Sequence, residues 1–195
     1  MLELGFKPMV WYALQTLEQG GVTNVFLVAA GDHFAALFQD WLRGSYTGKC
    51  NVEVVAAGED ADTADALRAV MPRLVSPAVT VISGDLVTDM HLEDVLATHA
   101  RCGAVATCLV ARRRPWAGVD AKTGRPPKGA HYIGLSGEHL LFMGDEEDVD
   151  KVLKLRRPVL RRTPALMVRT DLLDCQLYVL DVKAVGALME SKPNM

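Results

Sequence analysis

The sequence predicts an α/β fold with a mixed, mainly parallel sheet flanked by helices. Apolar, β-branched runs alternate along the chain with segments whose apolar residues recur at helical spacing, which is typical of such folds. Residues 78–83 are apolar throughout except for Thr80 and Ser83, as expected of a strand at the centre of a parallel sheet. The length of 195 residues fits one domain with a sizeable core, and we predict a single domain over residues 1–195.

The first half of the chain supplies most of the predicted elements. Pro8 at a first helical position and the pair Gly20-Gly21 bound a predicted helix at 9–19. Asp32 is predicted to cap a helix whose apolar face runs from Phe34 to Leu42. The remaining predicted elements here are strands at 25–30, 52–56, 78–83 and 103–110 and helices at 62–71 and 91–101.

The second half begins with a break in this pattern. Residues 112–129 are rich in Pro, Gly and basic side chains and predict an exposed, flexible loop. Residues 132–135 and 139–143 predict a hairpin, and the acidic run 145–150 predicts the start of a helix that continues through the basic residues 151–162. Strands at 168–170 and 175–180 and a helix at 182–190 complete the prediction.

Composition excludes several classes of protein. The formal net charge of −3 and the pI near 5.9 disfavour binding to nucleic acid or to an anionic membrane surface. The first residues form no secretory signal, and no apolar run approaches the roughly 20 residues of a membrane-spanning helix. The four cysteines have no C-x-x-C spacing, which favours reduced thiols in a cytosolic protein.

The most informative position is Asp85, which follows the predicted strand 78–83. A carboxylate just beyond the carboxyl end of such a strand lies where open α/β sheets bind ligands, and it could hold a Mg²⁺ that bridges phosphates. It could equally be a turn or helix-capping aspartate. The loop at 58–65 is a second junction of this kind, whose amides could meet a phosphate or whose acidic residues could form a solvated cap.

The sequence contains no motif typical of other catalytic, metal or nucleotide sites. The five histidines show no metal-ligand spacing, and neither a P-loop nor the G-x-G-x-x-G dinucleotide fingerprint is present. No G-x-S-x-G nucleophile motif occurs either. We therefore predict no catalytic residue and no metal site from motifs alone.

Several separated segments together carry a family resemblance. They are residues 7–12 (Lys-Pro-Met-Val-Trp-Tyr), 62–68 (Asp-Thr-Ala-Asp-Ala-Leu-Arg), 81–89 (Val-Ile-Ser-Gly-Asp-Leu-Val-Thr-Asp), 132–134, 140–143 and 171–180. In this order they resemble the sugar-nucleotidyltransferase-like domain of the gamma-subunit family of eukaryotic translation initiation factor 2B. The likeness covers nearly the whole chain.

The resemblance implies a Rossmann-like nucleotidyltransferase-type domain, normally followed by a β-helix domain, and a regulatory and scaffolding role without a covalent reaction. Partners would be the other subunits of the initiation factor 2B complex, chiefly epsilon, and initiation factor 2 through that complex, in the cytosol. No cofactor, membrane or direct nucleic-acid partner is implied. The vestigial nucleotide-site positions would be Lys7, Gly58, Thr63, Ala64, Gly84 and Asp85.

Departures from the active enzymes favour the non-catalytic interpretation. Their first strand and Gly-rich nucleotide loop have no counterpart here, their Glu-Lys-Pro sugar-phosphate segment is not found between residues 143 and 160, and the second metal carboxylate would lie beyond residue 195. Asp62 adds negative charge beside any phosphate. Without a first strand, residues 25–30 and 78–83 would expose backbone edges or collapse together. A Mg²⁺-dependent sugar-1-phosphate nucleotidyltransferase using Asp85, or a nucleotide-sugar-binding sensor, remain the alternatives.

Overall fold

A computed structural model describes residues 2–113, 131–145, 152–155, 157–163 and 165–191 of the chain. The strands in these ranges are β1 (Glu3–Leu4), β2 (Lys7–Pro8), β3 (Asn24–Ala30), β4 (Asn51–Ala57), β5 (Ala78–Ile82), β6 (Ala106–Arg112), β7 (His131–Ser136), β8 (His139–Asp145), β9 (Met167–Arg169) and β10 (Leu172–Asp181). The helices are α1 (Met9–Gln19), α2 (Gly31–Ser45), α3 (Thr63–Val70), α4 (Leu92–Cys102), α5 (Arg157–Arg162) and α6 (Val182–Ser191). A 3₁₀ turn, Met71–Arg73, follows α3.

The mixed α/β class is confirmed, and so is nearly every predicted helix and strand of the first half. The helix α1 spans Met9–Gln19, as the sequence predicts, and Gly20 is its C-cap. Pro8 is its extended N-cap and not its first helical residue. Strands β3 and β4 pair in parallel along their whole length. The hairpin of β7 and β8 is also confirmed, with Gly137 in the left-handed conformation at its turn (φ 60°).

Three further local predictions are wrong. Asp32 lies inside the first turn of α2, whose N-cap is Ala30, so its carboxylate adds charge at the helix start without capping it. Strand β5 is not a central parallel strand. It pairs antiparallel with β10, which comes much later in the sequence. Among the described residues of the predicted acidic helix, Asp145 belongs to β8, residues 152–155 are not helical and Arg157–Arg162 is helical.

Two of these predicted segments fall largely outside the described residues. These are the acidic run, of which residues 146–150 are not described, and the loop at 112–129, of which only Arg112, in β6, and Arg113 are described.

Contacts group the chain into two compact units, Met1–Cys108 with Gln176–Met195, and Leu109–Cys175. We call them unit 1 and unit 2. Unit 1 contains the parallel pair β3–β4 and the pairing of β5 with β10, and β10 also pairs with β6. The boundaries fall inside β6 and β10, and Gln176, at the second boundary, has a left-handed backbone (φ 53°).

The core of unit 1 includes buried apolar side chains of α1 and β10. Leu14 of α1 is 2 % exposed, and Leu177 and Val179 of β10 are 0 % and 1 % exposed. Buried Leu92 packs against Gly20 at the end of α1. Burial of these side chains stabilises the unit through the hydrophobic effect.

Unit 2 is built on the antiparallel ladder β8–β7–β9. Ile133 of β7 is fully buried, and the ring of Phe142 covers the backbone of its neighbour Gly134. Arg169, the last residue of β9, forms a two-pronged ion pair with Asp171, with Nε 2.6 Å from Oδ1 and Nη2 2.5 Å from Oδ2.

This ion pair predicts a low titration midpoint for Asp171. The hydrogen bonds from Arg169 lower the pKa of the Asp171 carboxyl from its usual 3.8 to about 2. Because the folded-state pKa is depressed, the contribution to the free energy of unfolding is present above pH 3.8 and is lost as the pH falls towards 2. A carboxyl NMR titration should show the midpoint near 2. Arg169→Gln should return it towards 3.8, whereas Arg161→Gln, on exposed α5, should leave it in place.

All four cysteines are described, and none of them is in a disulfide. Cys50 is buried and its Sγ lies 3.2 Å from the carbonyl oxygen of Val22. Cys102 is exposed. Within the described ranges, no helix is both long enough and apolar enough to cross a membrane.

Candidate functional site

The first part of the candidate site is the turn between β4 and α3. Gly58 begins this turn, and its carbonyl oxygen accepts a hydrogen bond from the N–H of Ala61 at 3.1 Å. Asp62 then caps α3: its Oδ1 accepts from the backbone N–H of Asp65 at 2.9 Å. The capping interpretation of this acidic segment is therefore confirmed for Asp62, because its oxygen satisfies an amide at the helix start.

The second part follows β5. The hydroxyl of Ser83 donates a short hydrogen bond to Asp85 Oδ1, and the N–H of Leu86 donates to the carbonyl oxygen of Ser83 at 3.2 Å, which closes a turn. The carboxylate of Asp85 is exposed and makes no ion pair with any described residue. Asp85 therefore lies in a turn, which is one of the two roles that the sequence allows for it. Its other carboxylate oxygen remains available as an acceptor at the end of β5.

Both turns open onto one large cavity in unit 1. Its volume is about 1280 Å³, and Asp62, Thr63, Gly84 and Asp85 line it. The other walls come mainly from β3, β5 and the apolar faces of α1, α2 and α3. Among the described residues, the charged ones that line the cavity are Glu53, Asp62, Asp85 and Arg73, so carboxylates outnumber cations in this part of the lining.

A cluster at the cavity wall was not predicted from the sequence. Phe26 and Glu53 lie opposite each other on the parallel strands β3 and β4. Arg73, from the 3₁₀ turn, forms an ion pair with Glu53 and places its guanidinium 4.6 Å from the centre of the Phe26 ring. The hydrogen bond from Arg73 lowers the pKa of Glu53. The register of the two strands and the position of the 3₁₀ turn bring these residues together, and the sequence specifies neither.

The structure brings together some of the predicted site positions and separates others. Thr63, Gly84 and Asp85 line the cavity, whereas Gly58 and Ala64 flank it without lining it. Lys7 does not join them: its Nζ lies 5.5 Å from the centre of the Trp11 ring, in a cation–π contact.

The described residues contain no group of three or more His, Cys, Asp or Glu side chains arranged to hold a metal ion. Asp85 alone would supply one oxygen ligand to a Mg²⁺, whose remaining ligands would be water and phosphate.

Comparison with protein families decides the broader classification. The profile of the family described as "Nucleotidyl transferase" matches residues 1–118, more than half of the chain. The chain belongs to the nucleotidyl transferase family. The two turns after β4 and β5 both lie inside the matched range.

Solved structures confirm the nucleotidyltransferase fold. A putative glucose-1-phosphate thymidylyltransferase from Bacillus anthracis superposes with a TM-score of 0.69 over 98 % of this chain and 66 % of its own, at 14 % identity. HddC from Yersinia pseudotuberculosis gives 0.66 over 96 % and 68 %, also at 14 % identity. At such low identity these likenesses concern the fold alone.

Among curated proteins, this nucleotidyl transferase family chain is similar to subunits of translation initiation factor eIF2B. The epsilon subunit of Schizosaccharomyces pombe is 23 % identical over 92 % of the chain, and the gamma subunit of the same yeast is 23 % identical over 98 %. The gamma subunit of Dictyostelium discoideum is 19 % identical over 98 %. The chain spans 27 % of the epsilon subunit and 42 % and 46 % of the two gamma subunits.

Proposed function

We propose that the chain is a non-catalytic subunit, or part of one, of the complex that exchanges guanine nucleotide on translation initiation factor 2. The observation that carries this proposal is the similarity to eIF2B gamma and epsilon subunits over 92–98 % of the chain. In this role it pairs with an epsilon-type catalytic subunit in the cytosol and contributes to exchange through protein contacts.

The electrostatics of the site support a non-catalytic role. Asp62 and Asp85 line the same cavity, and an entering phosphate would meet their negative charge. Lys7, the basic residue among the vestigial positions, lies over Trp11 and does not line that cavity. Arg73, the one cation among the described residues that line the cavity, already pairs with Glu53. These contacts disfavour tight binding of a nucleoside triphosphate.

The surface of unit 1 supports a role in protein contacts. Phe6 is 97 % exposed, and Leu2 and Leu4 beside it in the sequence are also exposed. Apolar side chains grouped in this way near β1 and β2 are favourable sites for association, because a partner would remove them from water.

A Mg²⁺-dependent sugar-1-phosphate nucleotidyltransferase is the second candidate. The family match and the position of Asp85 after β5 favour it, since a carboxylate there could hold the ion in a phosphoryl transfer. A sensor that binds a nucleotide sugar in the cavity, without chemistry, is a third. Fold alone does not separate the three.

An assay of pyrophosphate release separates the enzyme from the other candidates. The purified chain with a nucleoside triphosphate, a sugar 1-phosphate and Mg²⁺ should release no pyrophosphate above background, and Asp85→Asn should change nothing. Asp40→Asn, at an exposed position in α2, is the matched control for loss of one carboxylate. Release that Asp85→Asn abolishes and Asp40→Asn spares would establish the enzyme and remove our proposal.

Co-purification tests the proposed partnership. A tagged copy of the chain should recover an epsilon-type subunit from cell extract, and substitution of the exposed Phe6 by Ser should reduce the recovery if the β1–β2 surface takes part. Recovery of the chain alone, at physiological salt and with both proteins present in the extract, would count against the pairing.

A further inference from the structure

The loop at residues 74–77 joins the 3₁₀ turn to β5 and presents Ser76 to solvent. It is fixed at both ends. The N–H of Leu74 donates to the carbonyl oxygen of Met71 at 3.1 Å, and the carbonyl oxygen of Pro77 accepts from the first N–H of α6 at 2.9 Å. Between these anchors, the hydroxyl of Ser76 forms no hydrogen bond with any described residue. An enzyme from outside the chain can therefore reach this hydroxyl without breaking a contact of the fold.

Pro77 prepares this loop to bind as an extended segment. The residue before a proline is restricted to extended backbone, because the proline ring clashes with the helical conformation, so Ser76 is restricted in this way. Leu74 is extended as well, with φ −78° and ψ 119°. Protein kinases bind the segment around the acceptor hydroxyl in an extended conformation, and proline-directed kinases select a proline directly after it. The Ser76-Pro77 step meets both conditions.

A cation lies three residues before Ser76 in the sequence. Arg73 ends the 3₁₀ turn, and its side chain is 39 % exposed in an ion pair with Glu53, which is 54 % exposed. An ion pair at this exposure is weak, because water competes for both charged groups. The guanidinium of Arg73 is therefore free to pair with a carboxylate of a kinase during recognition, and with a phosphate on Ser76 afterwards.

Other hydroxyl groups of the chain meet fewer of these conditions. Thr163-Pro164 is the second step in the sequence at which a hydroxyl residue precedes a proline, but Thr163 is half-buried. Ser45 is exposed, but it ends α2 and no proline follows it. A phosphate at Ser45 would also lie at the negative end of the helix dipole, which is unfavourable.

We propose that Ser76 is a phosphorylation site for a proline-directed serine/threonine kinase that also selects an arginine three residues before the acceptor. In the reaction, the Ser76 Oγ forms a bond to the γ-phosphorus of ATP, and the bond from that phosphorus to the β–γ bridging oxygen breaks, so that ADP leaves with the electron pair. The hydroxyl proton passes to the catalytic carboxylate of the kinase. The site does not rest on the proposed role in nucleotide exchange.

A phosphate on Ser76 would redirect Arg73. It brings a charge of about −1.5 to −2 and three acceptor oxygens, and it binds a guanidinium through two parallel hydrogen bonds. Glu53 would lose its partner, and the guanidinium would leave its position 4.6 Å from the centre of the Phe26 ring. Phosphorylation would therefore release the contacts that connect the 3₁₀ turn to β3 and β4.

Phosphorylation of the purified chain tests the site, with Mg²⁺, ATP and a proline-directed kinase that prefers arginine at this spacing. Intact-mass spectrometry should show one added phosphate, and peptide mapping should locate it at Ser76. Ser76→Ala should abolish the addition, and Pro77→Ala should lower the initial rate about tenfold or more. Ser45→Ala, at the other exposed serine, is the matched control and should leave the rate unchanged. Phosphate at Thr163 in place of Ser76, no phosphate at all, or an unchanged rate for Pro77→Ala would overturn the proposal.

Phosphorus NMR of the phosphorylated chain tests the transfer of Arg73. Pairing with a cation favours the doubly charged phosphate, so the second pKa of the phosphate on Ser76 should lie below its ordinary value. Arg73→Gln, phosphorylated to completion, should return this pKa to the ordinary value. Arg43→Gln, at an exposed position in α2, should leave it lowered. The same pKa in the unchanged chain and in Arg73→Gln would overturn the pairing of Arg73 with the phosphate.

Discussion

Leu177→Ala should lower the free energy of unfolding by about 2–5 kcal/mol. Leu177 is fully buried in β10, opposite Ile82 of β5, and β10 pairs with both β5 and β6. Truncation removes apolar contacts and leaves a cavity that the two neighbouring strands hold open, so both losses add to the cost. Urea denaturation followed by circular dichroism measures the change, from the midpoint shift at constant slope.

Leu188→Ala is the matched control for this substitution. Leu188 lies in α6 of the same unit and is 53 % exposed, so its truncation should change the free energy of unfolding by only about 0.5 kcal/mol or less. Equal losses for Leu177→Ala and Leu188→Ala would mean that β10 does not form part of the core of unit 1.

Gly20→Ala should destabilise the chain by about 1–3 kcal/mol. The backbone of Gly20 has an ordinary φ of −78°, so the cost does not come from strain in φ. A Cβ at Gly20 would lie 2.8 Å from the Cβ of Leu92 and 2.6 Å from its Cδ2. Leu92 is 2 % exposed at the start of α4 and cannot move away without disturbing its own packing. Thermal unfolding should show a lower midpoint.

Gly44→Ala should have the opposite sign. Gly44 lies within α2, and a Cβ there would meet no atom within 4 Å. Replacing an exposed glycine of a helix by alanine reduces the conformational entropy of the unfolded chain, and we expect a gain of about 0.5–1 kcal/mol. If Gly20→Ala also stabilised the chain, α1 and α4 would not pack as closely as described.

Local patterns predicted α1, β3 and β4 within a residue or so. Each has its own boundary signals, such as Pro8 and Gly20 around α1, and an apolar pattern of one period. The start of the helix α3 also follows from local chemistry, since Asp62 is its N-cap. Secondary structure of this kind depends on residues close in sequence, and it can be read from them.

Strand pairing depends on residues that are distant in the sequence, and local patterns did not predict the partner of β5 or its direction. The apolar run 78–83 carries no information on the direction of its neighbour, which β10 supplies from about a hundred residues further along. The acidic run at 145–150 favoured a helix start by charge alone, yet Asp145 ends β8, because pairing with β7 outweighs the local preference.

In the candidate site too, features that depend on neighbouring residues were predicted, and features that depend on distant residues were not. Asp85 and Asp62 follow directly from their positions after predicted strands, and both line the cavity. The Phe26–Arg73–Glu53 cluster depends on the β3–β4 register and on the 3₁₀ turn, so it could not be predicted. Lys7 was placed at the site by resemblance alone, and its contact with Trp11 does not bring it there.

Association with an epsilon-type subunit is the central claim, and native mass spectrometry tests it most directly. The chain and an epsilon-type subunit from the same organism would be co-expressed, purified through a tag on the chain and measured intact. We predict one species whose mass is the sum of both subunits in equal numbers. Two separate species, with each subunit folded and neither bound to the other, would contradict the proposed function.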